Sequence, residues 1–230
     1  MKLRLIILAI IAVAALATSL AAYGMPQTKQ EEKDPILKIS QVPQKVQQTI
    51  KTYASEAEVK QITMGDVDGT KAYEVEIEKG GRKSEVAITP DGKVLSTEEI
   101  IPFAEVPEAA RQAINAKAAG GKVVSTEKVF ENGKTAFEAT IETGGKQSMF
   151  AVDAAGKAVG SEEEVQLSDV PEAVRKTINS KAAGGKVVSV KKVLEDGKTL
   201  FAAVIEKGGK QTEISVAPDG KLVDSEEIKH

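Results

Sequence analysis

The chain has 230 residues and a net charge of −3. This mildly acidic, charge-mixed composition gives no electrostatic reason to bind nucleic acid or anionic lipid. There is no cysteine and one histidine, His230, to which we assign no role. Disulfides, thiolate metal sites and catalysis by cysteine or histidine are therefore excluded. Since 41% of the residues are hydrophobic but only 3% are aromatic, we expect several small aliphatic cores rather than one large core.

Residues 1–24 have the pattern of a secretory signal peptide. Lys2 and Arg4 form a basic start, the apolar segment 5–20 follows, and small residues after it suit cleavage. An uncleaved membrane anchor is the alternative, because the apolar run approaches spanning length. We expect cleavage, a flexible lead-in over residues 25–38, and a periplasmic or secreted chain with no membrane contact after cleavage.

A repeat organises the rest of the chain. Val-Pro recurs at positions 42, 106 and 170, Gly-Gly at 80, 144 and 208, and Gly-Lys at 92, 156 and 220. All three landmarks keep a period of 64 residues with no insertion, which indicates tandem copies of one module. We assign the modules to residues 39–101, 102–165 and 166–230.

Each module begins with a predicted helix. In the third module Val170, Val174 and Ile178 have the spacing of one helical face, and Pro171 suits the first turn. A Gly-Gly pair follows the helix in the second and third modules and predicts a left-handed residue that ends it. The Gly-Gly-Lys string is not a phosphate loop, because it runs from helix into strand and no hydroxyl residue follows the lysine.

Four strands are predicted after each helix. Asp-Gly or Asn-Gly marks the first hairpin turn, Gly-Gly the second, and Pro-Asp-Gly or its equivalent the third. Apolar and polar residues alternate along the strands, as in Tyr73, Val75 and Ile77, which have glutamates between them. The predicted fold class is α+β: three tandem modules, each with one helix packed on its own four-stranded antiparallel sheet. The helix covers one sheet face and leaves the other open.

The order of these features resembles the PepSY-like, β-lactamase-inhibitor-like domain family. The residues are Val-Pro-Glu-Ala-Val before a helix, Asp-Gly-Lys, an aromatic residue opening a strand, Gly-Gly, Pro-Asp-Gly-Lys and an acidic end, over most of residues 41–228. The resemblance implies an exported, non-enzymatic module that binds or restrains a peptidase or another envelope protein. In the β-lactamase inhibitor itself, the open concave sheet face grips the enzyme. The present chain has neither the disulfides nor the aromatic-rich face of that inhibitor.

The open sheet face is the first candidate for binding an extracytoplasmic protein. By alternation it carries Glu74, Glu76 and Glu85 in the first module, Glu138, Thr140 and Met149 in the second, and Ala202, Val204 and Glu213 in the third. Docking of a partner is one interpretation. The other interpretation is that these residues pack one module against the next or have drifted neutrally, because the apolar part is small beside a standard interface of about 800 Å² per partner.

Each module ends in acidic residues. They are Glu98-Glu99, Glu162-Glu163-Glu164 and Glu226-Glu227. Carboxylates suit Ca²⁺ or Mg²⁺, but the spacing is not that of an EF-hand, so we expect solvated edges that discourage sheet-to-sheet aggregation. No cofactor, metal or enzyme motif is predicted. The leading hypothesis is a protein-binding module, and the alternatives are an envelope spacer and a weak divalent-cation binder.

Overall fold

The computed structural model describes residues 35–67, 69–195 and 197–228. The predicted signal peptide, His230 and most of the predicted lead-in lie outside these ranges. Within them, no helix has both the length and the apolar character that a membrane crossing requires.

One helix followed by four strands occurs three times along the chain, and we call each such group a unit. The first unit comprises α1 (Gln44–Tyr53), β1 (Glu58–Val67), β2 (Thr70–Lys79), β3 (Arg82–Ile88) and β4 (Val94–Ile100). The second comprises α2 (Glu108–Lys117), β5 (Lys122–Glu131), β6 (Lys134–Thr143), β7 (Lys146–Val152) and β8 (Ala158–Glu164). The third comprises α3 (Glu172–Lys181), β9 (Lys186–Glu195), β10 (Lys198–Lys207), β11 (Lys210–Val216) and β12 (Leu222–Ile228).

The strands form one continuous sheet, so the predicted fold class is wrong. All twelve strands pair with their neighbours in the order β1 to β12, and every pairing is antiparallel. Strand β4 pairs with β5 and β8 with β9, where three separate four-stranded sheets were expected. The physical reason is that the last strand of each unit has an edge of unpaired N–H and C=O groups, which the first strand of the next unit satisfies.

The two junctions between units have the same register. Ser96 lies opposite Glu131 at the first junction, and Gly160 lies opposite Glu195 at the second. Each pair is related to the other by the 64-residue period. The repeat therefore extends to the contacts between units as well as to the units themselves.

The three helices lie on the same face of the sheet, and each covers its own apolar cluster. Val46 and Ile50 of α1 pack against Val75 and Ile88, and the clusters beneath α2 and α3 are built in the same way. The buried residues are mostly Val, Ile and Ala. The expectation of several small aliphatic cores is confirmed.

Glycines fix the position of each helix. Gly156 has φ +81°, and a Cβ there would lie 2.5 Å from the carbonyl oxygen of Ala109 in α2, so only glycine fits this turn. In the third unit the Thr177 hydroxyl donates to the carbonyl oxygen of Gly220, at 2.6 Å. The predicted helix stop is confirmed as well, since Gly120 has φ +84° just after α2.

Candidate binding face of the sheet

The open face is the sheet surface opposite the helices, and the register places every predicted site residue on it. Glu76 lies opposite Glu85, Thr140 opposite Met149, Val204 opposite Glu213, Glu74 opposite Ala87, Glu138 opposite Ala151, and Ala202 opposite Ser215. Alternation along the strands therefore predicted the correct side of the sheet. The role of these residues in binding stays a prediction.

Five glutamates cross the open face from β2 to β6, and we call them the acidic stripe. They are Glu76, Glu85, Glu98, Glu127 and Glu138. Three cross-strand pairs place like charges directly opposite each other: Glu76 with Glu85, Glu85 with Glu98, and Glu127 with Glu138. Such pairs destabilise a sheet when both carboxyl groups are ionised. Among the described residues, no lysine or arginine forms an ion pair with any member of the stripe.

The environment of the stripe favours the protonated carboxyl groups. Burial raises the pKa of Glu85 to about 7, with a further contribution from Glu74 and Glu76. Burial, followed by repulsion from Glu85, raises the pKa of Glu98 to about 7. Burial, followed by repulsion from Glu98, raises the pKa of Glu138 to about 8. These carboxyl groups therefore titrate near neutral pH, where exposed glutamates are fully ionised.

A groove of about 600 Å³ lies beside the stripe, on the open face of β5 to β9. Apolar side chains line part of it: Val129, Ala136, Met149, Ala151 and Val193. Carboxyl groups also line it, from Glu131, Glu138, Asp153, Glu162 and Glu195. Gly160, which has no side chain, faces Ala151 across β7 and β8 and leaves room above the strands.

Glu138 belongs to both the acidic stripe and the groove. It is only 8% exposed, and no described residue forms a hydrogen bond or ion pair with its carboxyl group. Among the described residues, no side-chain N or O atom is both sealed from solvent and without a hydrogen-bond partner. The carboxyl oxygens of Glu138 therefore reach solvent through the groove that they line.

The third unit has a different open face at the equivalent positions. Ala202 stands where the second unit has Glu138, and Lys191 stands where it has Glu127. The Lys191 ammonium group forms an ion pair with Glu162 at 2.6 Å. The repulsive pair of the second unit is thus replaced by a small apolar side chain and a compensated charge.

The acidic ends of the first two units are not edges, which corrects the prediction made for them. Because β4 and β8 pair on both sides, Glu98 lies inside the sheet, in the acidic stripe, and Glu162 lies in the groove. Only β12 of these three strands is a sheet edge, and there Glu226 and Glu227 are exposed. Neighbouring glutamates do point to opposite faces, since Glu99 lies opposite Lys128 on the helix side.

Sequence reasoning missed Glu127, Glu131 and Val129 as members of the open face. All three lie on β5, where no alternation was traced. The signal that could have placed them on one face is the period-two alternation of positions 127, 129 and 131 along the strand. Among the described residues, no group of three or more histidine, aspartate or glutamate side chains is arranged to hold a metal ion.

Comparison with known proteins shows similarity for part of the chain. Residues 28–96 match the family described as "Putative beta-lactamase-inhibitor-like, PepSY-like". This match shows the predicted resemblance over those residues, which are less than half of the chain. No curated protein matches.

Several solved structures are similar to the chain. A BLIP-like protein from Bacteroides fragilis is 18% identical, with 56% of this chain and 89% of that chain covered and a TM-score of 0.44. A DUF2874 family protein from Bacteroides ovatus is 14% identical, with 53% and 86% covered and a TM-score of 0.42. A "putative periplasmic protein of unknown function" from Bacteroides vulgatus is 18% identical, with 56% and 98% covered and a TM-score of 0.32.

Proposed function

We propose that the chain is an exported, non-enzymatic protein-binding protein whose open face docks a partner outside the cytoplasm. The groove is the observation that carries this proposal. Its apolar residues, among them Val129, Met149 and Val193, lie among polar side chains in a concave surface, which is the usual arrangement of a binding cleft. The signal-peptide pattern of residues 1–24 supports export.

A secreted or envelope peptidase is the kind of partner that we propose. The support for this step is the match of residues 28–96 to a family described as β-lactamase-inhibitor-like. An inhibitor needs a surface that covers its target and no chemistry of its own. The open face offers such a surface over many adjacent strands.

Affinity capture from the envelope of the producing cell tests the proposal. The full chain should retain a stoichiometric partner, and Met149→Glu or Val204→Glu should weaken retention at least tenfold, because each adds a charge to the open face. Met64→Glu is the matched control. Met64 is 38% exposed and lies opposite Tyr73 on the helix side of the sheet.

The variants decide the outcome of this experiment. Equal retention by the wild type and both open-face variants would contradict docking on the open face. Loss of retention by the Met64 variant alone would move the interface to the helix side. The melting temperature of each variant should stay close to that of the wild type, so that a loss of binding is not a loss of folding.

An envelope spacer is the second candidate function, and the continuous sheet favours it. Joined units give reach without a flexible linker, and the two junctions have the same register. A spacer should show no stoichiometric partner in the capture experiment. It should also still function after deletion of one 64-residue unit, whereas a docking protein that loses the second unit loses its groove.

A further inference from the structure

The groove contains a carboxyl group that lacks a counter-charge. Glu138 is nine-tenths buried, forms no hydrogen bond or ion pair with any described residue, and opens into the groove. A buried polar group of this kind is costly unless something pairs with it. Glutamates are opposite or diagonal to it on β4 and β5, so the nearest charges of the protein add to the cost.

We infer that the groove receives a lysine or arginine side chain from a basic segment of the partner protein, with Glu138 as its acceptor. This inference rests on the proposed function and specifies the chemistry of the partner. The groove suits such a side chain in two respects. Its apolar lining, which includes Val129, Ala151 and Val193, can cover the aliphatic stem. Its buried carboxylate can accept a charge-assisted hydrogen bond from the cationic head.

Charge around the groove favours a cation over an anion. Carboxyl groups of Glu131, Asp153, Glu162 and Glu195 line it besides that of Glu138, against the ammonium groups of Lys134 and Lys157. Glu162 is already paired with Lys191. A compact metal ion fits less well than a cationic side chain, because the described residues hold no cluster of three ligands for it.

The titration of Glu138 gives this interaction a pH dependence. The charged groups that shift the titration of Glu138 are Glu98 on β4 and Glu127 and Glu131 on β5, and all of them favour its protonated form. The other charged residues that line the groove are Lys134, Asp153, Lys157, Glu162 and Glu195. Its partner on β7, Ala151, and the next residue across, Gly160, carry no charge. An entering lysine therefore displaces the carboxyl proton to solvent, and binding should tighten as the pH rises and the carboxyl group ionises.

Methionine methyl signals of the full chain provide the test. Met149 lines the groove, and Met64 on the helix side of the edge strand β1 serves as an internal control. The probes are three acetylated and amidated pentapeptides, Ala-Leu-Xaa-Leu-Ala, in which Xaa is lysine, norleucine or glutamate. The lysine peptide should shift the Met149 signal saturably, with a dissociation constant at least tenfold lower than that of the norleucine peptide. The glutamate peptide should not shift the signal.

Substitutions identify the acceptor. Glu138→Ala installs the residue that the third unit carries at this position and should abolish the preference for lysine over norleucine. Glu138→Gln should do the same if the alanine variant folds poorly. Glu99→Ala is the matched control, because Glu99 lies on the helix side of the sheet and does not line the groove. Wild-type binding of the lysine peptide should be about tenfold tighter at pH 8.5 than at pH 6.5.

Each contrary result has a distinct meaning. A Met149 shift of equal strength with lysine and norleucine, unchanged by Glu138→Ala, overturns the cationic partner and leaves open-face docking in place. Spermidine binding as tightly as the lysine peptide overturns a protein segment as the source of the cation. Absence of any Met149 shift also overturns the inference, while the capture experiment judges the proposed function separately.

Discussion

The open faces of the second and third units have the same strand pairing but differ in charge where β5 pairs with β6 and where β9 pairs with β10. In the second unit Glu127 and Glu138 lie opposite each other without a described counter-ion. In the third unit the equivalent positions hold Lys191 and Ala202, and the lysine is paired with Glu162. The comparison teaches that the fold does not require the buried acid. A repeat that lacks it forms the same strands with the same register.

The difference also identifies the side chains of the second unit that lower the free energy of unfolding. Like charges opposite each other in a sheet are destabilising, and burial of an unpaired carboxylate is more so. Ala202 of the third unit shows that a small neutral side chain fits the sheet at the position of Glu138. A binding role predicts the presence of the acidic stripe beside the groove, because interaction sites commonly hold groups that only the ligand pairs with.

The largest expected effect is a fall in stability with rising pH. Because the pKa values of Glu85, Glu98 and Glu138 are raised above the ordinary value of 4.5, the folded state binds their protons more tightly than the unfolded chain. The resulting stabilisation is complete below pH 4.5 and is lost as the pH rises to about 8. With a discount for solvent screening, the free energy of unfolding should fall by about 3 kcal/mol between pH 5.5 and 8.5.

Urea unfolding at the two pH values measures this effect. The variant Glu85→Gln/Glu98→Gln/Glu138→Gln should remove most of the pH dependence, because amides do not titrate in this range. A wild-type chain that is equally stable or more stable at pH 8.5 would show that the stripe is ionised and compensated in the folded state.

The next effect isolates Glu138 and tests the comparison directly. Glu138→Ala makes the second unit resemble the third at this position. At pH 8.5 it should raise the free energy of unfolding by about 1–2 kcal/mol, because it removes a buried charge. At pH 5.5 the gain should vanish, since the wild-type carboxyl group is then protonated. Urea midpoints at both pH values measure this effect. A variant that is less stable than the wild type at pH 8.5 would contradict the prediction.

The smallest effect comes from making the third unit resemble the second. Lys191→Glu removes the ion pair with Glu162 and adds a fourth carboxyl group to the three, from Glu162, Asp224 and Glu226, that already act on Glu213. Because the pair is partly exposed, stability at pH 8.5 should fall by only about 1 kcal/mol, and less in 1 M NaCl. Lys191→Met separates loss of the pair from repulsion, and should cost less than Lys191→Glu. Equal costs for the two variants would mean that repulsion on this face is negligible.

Local features of the fold could be predicted from the sequence because short-range rules govern them. The spacing of Val170, Val174 and Ile178 predicted the buried face of α3, and two of these residues are fully buried within it. Alternation around Val75 predicted which glutamates face away from the helix. These patterns depend on the period of each element and on which face is covered.

The joining of the units could not be predicted in the same way. Pairing of β4 with β5 is made by main-chain groups, which carry no side-chain pattern. Glu98 was therefore assigned to a solvated edge, although it lies between two paired strands. The groove was missed for the same reason, since Glu138 and Val193 share its lining only when β8 is joined to β9.

The identical register of the two junctions has a consequence for how such chains change length. Genetic recombination that adds or removes one 64-residue period places the last strand of one unit next to the first strand of another. These two strands can pair in the register that both present junctions share. Recombination between the copies therefore yields one continuous sheet of eight or sixteen strands and leaves no additional strand edge unpaired. The number of units can therefore change in a single genetic event, while each unit keeps the side chains of its own open face.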